Sequence, residues 1–147
     1  MLTRIPFRTP SSIIFLLILT ISSISAQTSL RLKIKGINTY AGIEVGSKGV
    51  KMSVIEVTGS GLKNGNFKIL KDTSVNTDFI TFSKESFLNT LSGLTALYET
   101  ANKQYQIPEN RIFVVFSSGV KAVADRENKV SMISSLADSF RVAIKEP

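Results

Sequence analysis

Glu44, Gly46, Ser47, Lys48, Gly49 and Lys51 stand together in GIEVGSKGVK, residues 42–51, and their types suit the holding of a phosphate. A phosphate needs several N–H donors converging on one place, and small residues that let the backbone approach. Gly46 and Gly49 leave that room and can take positive φ, while the Ser47 hydroxyl and the lysines add donors. Glu44, just ahead of the loop, can position a water or a hard cation such as Mg²⁺. The same residues also make an ordinary tight hairpin, and spacing alone does not separate the two readings. The stretch is neither a Walker loop nor a dinucleotide fingerprint, because those lead from strand into helix.

A second cluster lies in VFSSGVKAVADREN, residues 115–128, where Ser117, Ser118 and Gly119 directly follow an apolar run. Open α/β sheets bind ligands beyond the carboxyl ends of their strands. Lys121, one turn later, can neutralise an anion held there. The plain alternative is a strand-to-helix connection capped by a serine. The chain has no His and no Cys, which removes Ser-His-Asp and Cys-His nucleophile arrangements and leaves zinc only carboxylate ligands.

The elements that must position these clusters follow from periodicity. At 147 residues with 43% hydrophobic and 20% charged, the chain describes one foldable domain. Residues 39–45 and 50–58 read as strands joined by GSKG, and residues 66–74 as a third strand. TGSGLKNG (58–65) joins the second and third, with Asn64-Gly65 signalling a type I′ hairpin. From Ser83, apolar residues recur at Phe87, Leu91, Leu94, Tyr98, Ala101 and Tyr105, a helix capped by Ser83 that ends before Pro108. RIFVVFS, residues 111–117, has the continuous apolar run of a parallel strand buried on both faces. A second helix is expected over residues 128–144. The order β-β-β-α-β-α predicts an α/β domain: a three-stranded antiparallel meander, then a helix, a strand and a helix. A right-handed crossover makes the fourth strand parallel to the first, in a mixed sheet with helices packed on it.

These pieces resemble the N-terminal domain of the exopolyphosphatase/guanosine pentaphosphate phosphatases, of the ribonuclease H-like/actin-like ATPase superfamily. Those proteins open with a stretch like A-x-I-D-I-G-S-N-S-x-R-L, which stands here as Tyr-Ala-Gly-Ile-Glu-Val-Gly-Ser-Lys-Gly-Val-Lys, residues 40–51. Their later A-T-S-A-L-R-E-A-x-N stands here as Phe-Ser-Ser-Gly-Val-Lys-Ala-Val-Ala-Asp, residues 116–125. The resemblance covers about residues 39–145. It implies a phosphate site of Gly46, Ser47, Lys48, Gly49, Lys51, Ser118, Gly119 and Lys121, with Glu44 at the position of the family's metal-side aspartate and Mg²⁺ as the cofactor. Polyphosphate or another phosphate anion is the implied partner. Glu44 is longer than the aspartate by a methylene, Lys48 and Gly49 replace Asn and Ser, and Lys51 and Lys121 replace arginines, which removes bidentate phosphate contacts. The family's water-activating glutamate lies in a segment like E-I-I-S-G-x-E-E-A, beyond Ile144-Lys-Glu-Pro147. No catalytic residue is therefore assigned, and the expectation is an acid-anhydride hydrolase domain that is incomplete or inactive alone. The alternative is an exported anion-binding or structural module without catalysis.

Residues 1–26 differ from the rest. Arg4 and Arg8 precede an apolar run at 13–21 and a small residue, Ala26, the pattern of a secretory signal cleaved before Gln27. A retained anchor is the other reading, although the run is shorter than the roughly 20 residues of a membrane span. Export, with no integral membrane domain after cleavage, is the expectation. Loss of Arg4 and Arg8 takes the formal +7 to +5. Residues 27–38 alternate Leu30, Leu32, Ile34 with Arg31, Lys33, Lys35, an extra edge strand or a basic linker to the domain at 39–147. No aromatic is interleaved with those cations, so no nucleic-acid platform is expected.

Overall fold

Alternation along one strand sets the first layer of the molecule. In β1 (Thr39–Val45), Thr39, Ala41, Ile43 and Val45 are buried while Gly42 and Glu44 are exposed, so a single face of this strand belongs to the core. β2 (Gly49–Val57) returns antiparallel and turns Val50, Met52 and Val54 to the same side. β3 (Phe67–Asn76) pairs antiparallel with β2, with an irregularity between Val54 and Ile55. β4 (Ile112–Phe116) lies on the other side of β1 and runs parallel to it, giving the order β3-β2-β1-β4. This computed structural model describes residues 38–145. The secretory-signal reading of 1–26, and nearly all of the 27–38 strand-or-linker reading, fall outside the described residues.

Helices cover one face of this mixed sheet, as the α/β pattern requires. α1 (Lys84–Glu99) begins where Ser83 Oγ accepts from the Ser86 N–H at 3.0 Å while Ser86 Oγ accepts from the Ser83 N–H at 3.1 Å. That reciprocal cap satisfies two otherwise orphaned donors. Ser83→Ala is expected to cost about 1 kcal/mol in urea unfolding; an unchanged midpoint would refute the cap's role. α1 buries Leu94, Leu97 and Tyr98 on the sheet side, and Gly93 fits against Thr77 and Val75, whose side chains stand 3.3 Å from where its Cβ would be. Tyr98 packs edge-to-face on Phe140 at 5.4 Å, and burial, aided by Glu109, raises its phenol pKa. A wider helical turn, Thr100–Gln104, carries the chain toward Pro108.

Four features differ from the sequence reading. Between β4 and the last helix, α3 (Val130–Ala143), stands a helix that the β-β-β-α-β-α order lacks, α2 (Ser118–Arg126), as in the serine-capped strand-to-helix alternative; it buries only Val120 and Ala124. The 58–66 connection is not a two-residue hairpin: one helical turn, Gly61–Asn64, is closed by Gly65 at φ 72°. Gly65 is the one glycine with positive φ among the described residues, so Gly46 and Gly49 do not use that freedom. Gly49 is needed for another reason: a Cβ there would strike the Val75 carbonyl. Finally, β4 is covered on one face only, since Phe113 and Val115 are 56% and 54% exposed.

Candidate functional site

β1 and β4 are parallel neighbours with Val45 opposite Phe116, so both end at the same edge of the sheet. The Ser117 N–H donates to the Val45 carbonyl at 3.0 Å, tying the two strand exits together. From β1 the chain enters the 46–49 turn, closed by the Gly46 N–H donating to the Gly49 carbonyl at 2.8 Å. From β4 it enters α2, where Ser117 Oγ accepts from the Val120 N–H at 3.2 Å. The two clusters therefore meet. Seen from the position a Gly119 Cβ would take, Ser47 Oγ is 3.7 Å away and Ser117 Oγ 3.8 Å.

Chemically this is a small notch with two hydroxyls, a bare glycine and the start of a helix. Ser118 and Gly119 are exposed in the first turn of α2, where backbone N–H groups have no acceptor within the helix and the helix dipole favours an anion. The turn is braced from behind. The Lys48 carbonyl accepts from the Thr77 and Asp78 N–H groups at 3.1 and 3.4 Å, and the Ser47 carbonyl from the Ile80 N–H at 3.5 Å. Its carbonyls are thus engaged by the β3–α1 connection, away from the notch.

The remaining residues singled out in the sequence are dispersed. The Gly46 N–H, expected to face a ligand, closes the turn instead. Lys48 lines a separate cavity of about 440 Å³ with Asn76, Thr77, Asp78 and Asn89. Lys121 is held by Asp125 at 2.7 Å, an exposed i,i+4 pair along α2. Glu44 and Lys51 are exposed register partners across β1 and β2, on the sheet face opposite the core. No group of three or more acidic residues able to share a metal lies among the described residues. Ser117, the actual helix cap, was visible in the sequence as the first serine after the apolar run.

The fold defines the class: a mixed four-stranded α/β domain with helices packed on one face, and its candidate notch beyond the carboxyl ends of two parallel strands. The sequence matches no protein-family model and no curated protein. Solved structures do match. The Aquifex aeolicus Ppx/GppA phosphatase in its type II variant aligns at a TM-score of 0.51 and 14% identity, over 71% of this chain and 33% of that one. A crystal structure of the Aquifex aeolicus member of the Ppx/GppA family gives a TM-score of 0.43 at 14% identity, over 60% of this chain and 31% of that one. The Aquifex aeolicus PPX-GPPA enzyme gives 0.42 at 13%, over the same shares of 60% and 31%. The chain spans about a third of the length of these proteins. At this identity the likeness is one of fold. Among the described residues no helix is long and apolar enough to cross a membrane.

Proposed function

We propose that the chain is a distant exopolyphosphatase-like domain that binds a phosphate group in the notch between the 46–49 turn and the start of α2. The observation that carries this reading is the convergence of the Ser47 and Ser117 hydroxyls on the bare Cα of Gly119. Two hydroxyls and the first-turn N–H groups of α2 make a neutral cradle, and the dipole of α2 supplies the positive potential. Mg²⁺ takes one or two carboxylates and draws its other ligands from water and phosphate oxygens. Glu44, the carboxylate the sequence offers, stands on the open sheet face and not in the notch, and no acidic cluster lies among the described residues, so the residues present do not fit such an ion. Phosphoanhydride hydrolysis needs positioning and charge stabilisation from both sides of the phosphate. The described residues supply one side, so binding without turnover is the expected behaviour. Export is part of this proposal and rests on residues 1–26 alone.

Titration calorimetry with pyrophosphate at low salt tests the site. A Cβ at Gly119 meets both hydroxyls at ordinary contact distance, so Gly119→Val keeps the fold while its methyls fill the notch. Both that variant and Ser47→Ala are expected to bind at least about tenfold more weakly, the latter as befits the loss of one hydrogen bond to a charged group. Undetectable heat with wild-type chain, or equal affinity in Gly119→Val, overturns the proposal. Phosphate release from polyphosphate with Mg²⁺ is expected to stay at background.

A further inference from the structure

Polar residues from three elements enclose a cavity that the phosphate notch does not use. Lys48 comes from the turn after β1, Asn76, Thr77 and Asp78 from the end of β3 and the connection beyond it, and Asn89 from α1. Together they line about 440 Å³, within the range of about 300–1,000 Å³ usual for small-molecule sites. Backbone bonds fix the framework. The Lys48 carbonyl accepts from the Thr77 and Asp78 N–H groups, and the Asp78 carbonyl accepts from the Thr81 N–H and hydroxyl at 3.2 and 3.1 Å. Two observations mark the cavity as a place for a ligand. Thr77 is only 6% exposed, and its Oγ1 has no hydrogen-bond partner among the described residues, although a buried hydroxyl left so costs free energy. The same wall holds two opposite charges that do not neutralise each other. Charged side chains on the helices are paired, as in Lys103–Glu99, Lys121–Asp125 and Arg141–Asp138. Lys48 and Asp78 share one cavity, yet neither has an ionic partner among the described residues.

We propose that this cavity is a second binding site, for a small zwitterion of the α-amino-acid type. Its charges select against simpler ligands. An anion alone, phosphate included, would meet the Asp78 carboxylate, and a cation alone the Lys48 ammonium. A molecule that carries both a carboxylate and an ammonium satisfies the two at once. Its carboxylate accepts from Lys48 and from the Thr77 hydroxyl, which thereby gains the partner it lacks, and its ammonium donates to Asp78. The amides of Asn76 and Asn89 offer donors and acceptors to a polar side chain. Because the backbones that carry Lys48 and Asp78 are already bonded to each other, little order is lost on binding.

The test titrates the full chain, labelled with ¹⁵N, with glycine, the bare zwitterion, and with L-glutamine, whose side-chain amide can meet Asn76 or Asn89. Acetate and methylammonium, with one charge each, serve as controls. Saturable shifts are expected at the amides of Lys48, Thr77, Asp78 and Asn89 for both amino acids, with either control at least about tenfold weaker. Lys48→Gln and Asp78→Asn each remove one charge at an exposed position, and asparagine tolerates the left-handed backbone of residue 78, at φ 49°. Each is expected to weaken glycine binding at least about tenfold. Thr77→Val separates binding from folding. Without its orphaned hydroxyl the chain should unfold at an equal or higher urea concentration, yet bind glycine at least about tenfold more weakly. Circular dichroism checks folding, and Asn89→Ala, read with L-glutamine, replaces any variant that unfolds. Absent shifts with both amino acids, equal shifts with either control, shifts centred on Gly119, or unchanged affinity in the variants overturns the proposal. A lower urea midpoint in Thr77→Val would mean that the hydroxyl is already satisfied, which also overturns it.

Discussion

Phe79→Ala is expected to remove a large part of the domain's stability, about 3–5 kcal/mol, against a total of about 5–15 kcal/mol for a domain of this kind. Phe79 is fully buried and meets Phe82 edge-on at 5.6 Å and Phe116 at 6.5 Å. It thereby joins the β3–α1 connection to the end of β4. The backbone shows how tightly the ring is held. Asp78 at φ 49° and Phe82 at φ 47° bracket the Phe79–Thr81 turn in the left-handed region, where non-glycine residues cost about 1–3 kcal/mol each. Those conformations persist because burying the ring overcompensates them. Alanine would leave a cavity, while relaxation of Asp78 and Phe82 would return part of the loss, so the lower half of the range is the better expectation. Urea unfolding measures it, and a change below about 1 kcal/mol would contradict the account. The effect should reach the notch as well. The carbonyls of Ser47 and Lys48 are held by the N–H groups of residues 77, 78 and 80, so pyrophosphate affinity should fall along with stability.

Most of the sheet was legible because its pattern is local. The apolar, β-favouring residues 39–45 gave β1 its observed bounds, the apolar run after Arg111 gave β4, and the right-handed crossover gave its parallel pairing. Ser83 announced the start of α1 by cap chemistry. α2 was legible only by its serine cap, as the plain alternative for the segment, because a nine-residue helix with Val120 and Ala124 as its buried pair presents hardly any stripe. Once residues 118–126 are helical, Lys121 and Asp125 stand at i and i+4, and their pairing follows. The same logic separates the candidate residues. Ser47, Ser117 and Gly119 converge through strand register, a long-range property, whereas Glu44 and Lys51 share the opposite parity from the core residues of β1 and β2 and so fall on the open face. Parity was in the sequence; which face the helices would cover was not. β4 illustrates the limit, for IFVVF reads as buried on both sides yet leaves Phe113 and Val115 exposed.

Three glycines of the opening motif should respond differently to alanine, and the order separates a shaped turn from a permissive one. Gly49→Ala is expected to be the most damaging. Its Cβ would meet the Val75 carbonyl and crowd the Asn76 Cα at 3.2 Å, and both are backbone atoms of the paired strand, with no rotamer to yield. β2 and β3 would have to part where Gly49 pairs with Asn76, at a cost of about 3 kcal/mol, the upper part of the range for forced overpacking. Gly46→Ala brings its Cβ to 3.2 Å from the Gly49 carbonyl, a contact that a shift of a few tenths of an ångström relieves, so about 1 kcal/mol is expected. Gly42→Ala meets nothing within 4 Å, and removing glycine's unfolded-state freedom should leave it neutral or stabilise it by about 0.4–1 kcal/mol. In thermal unfolding, Gly49→Ala should lose about 10 °C or more, Gly46→Ala a few degrees and Gly42→Ala none. Equal losses at positions 49 and 42 would mean that the turn is not shaped by contact with β3. The partial loss at position 46 would show whether the Gly46–Gly49 closure also governs the notch. If pyrophosphate affinity follows stability across the series, the turn acts on phosphate only by holding Ser47 in place. A drop in affinity at position 46 without a matching drop in melting temperature would instead give the turn's own backbone a part in binding.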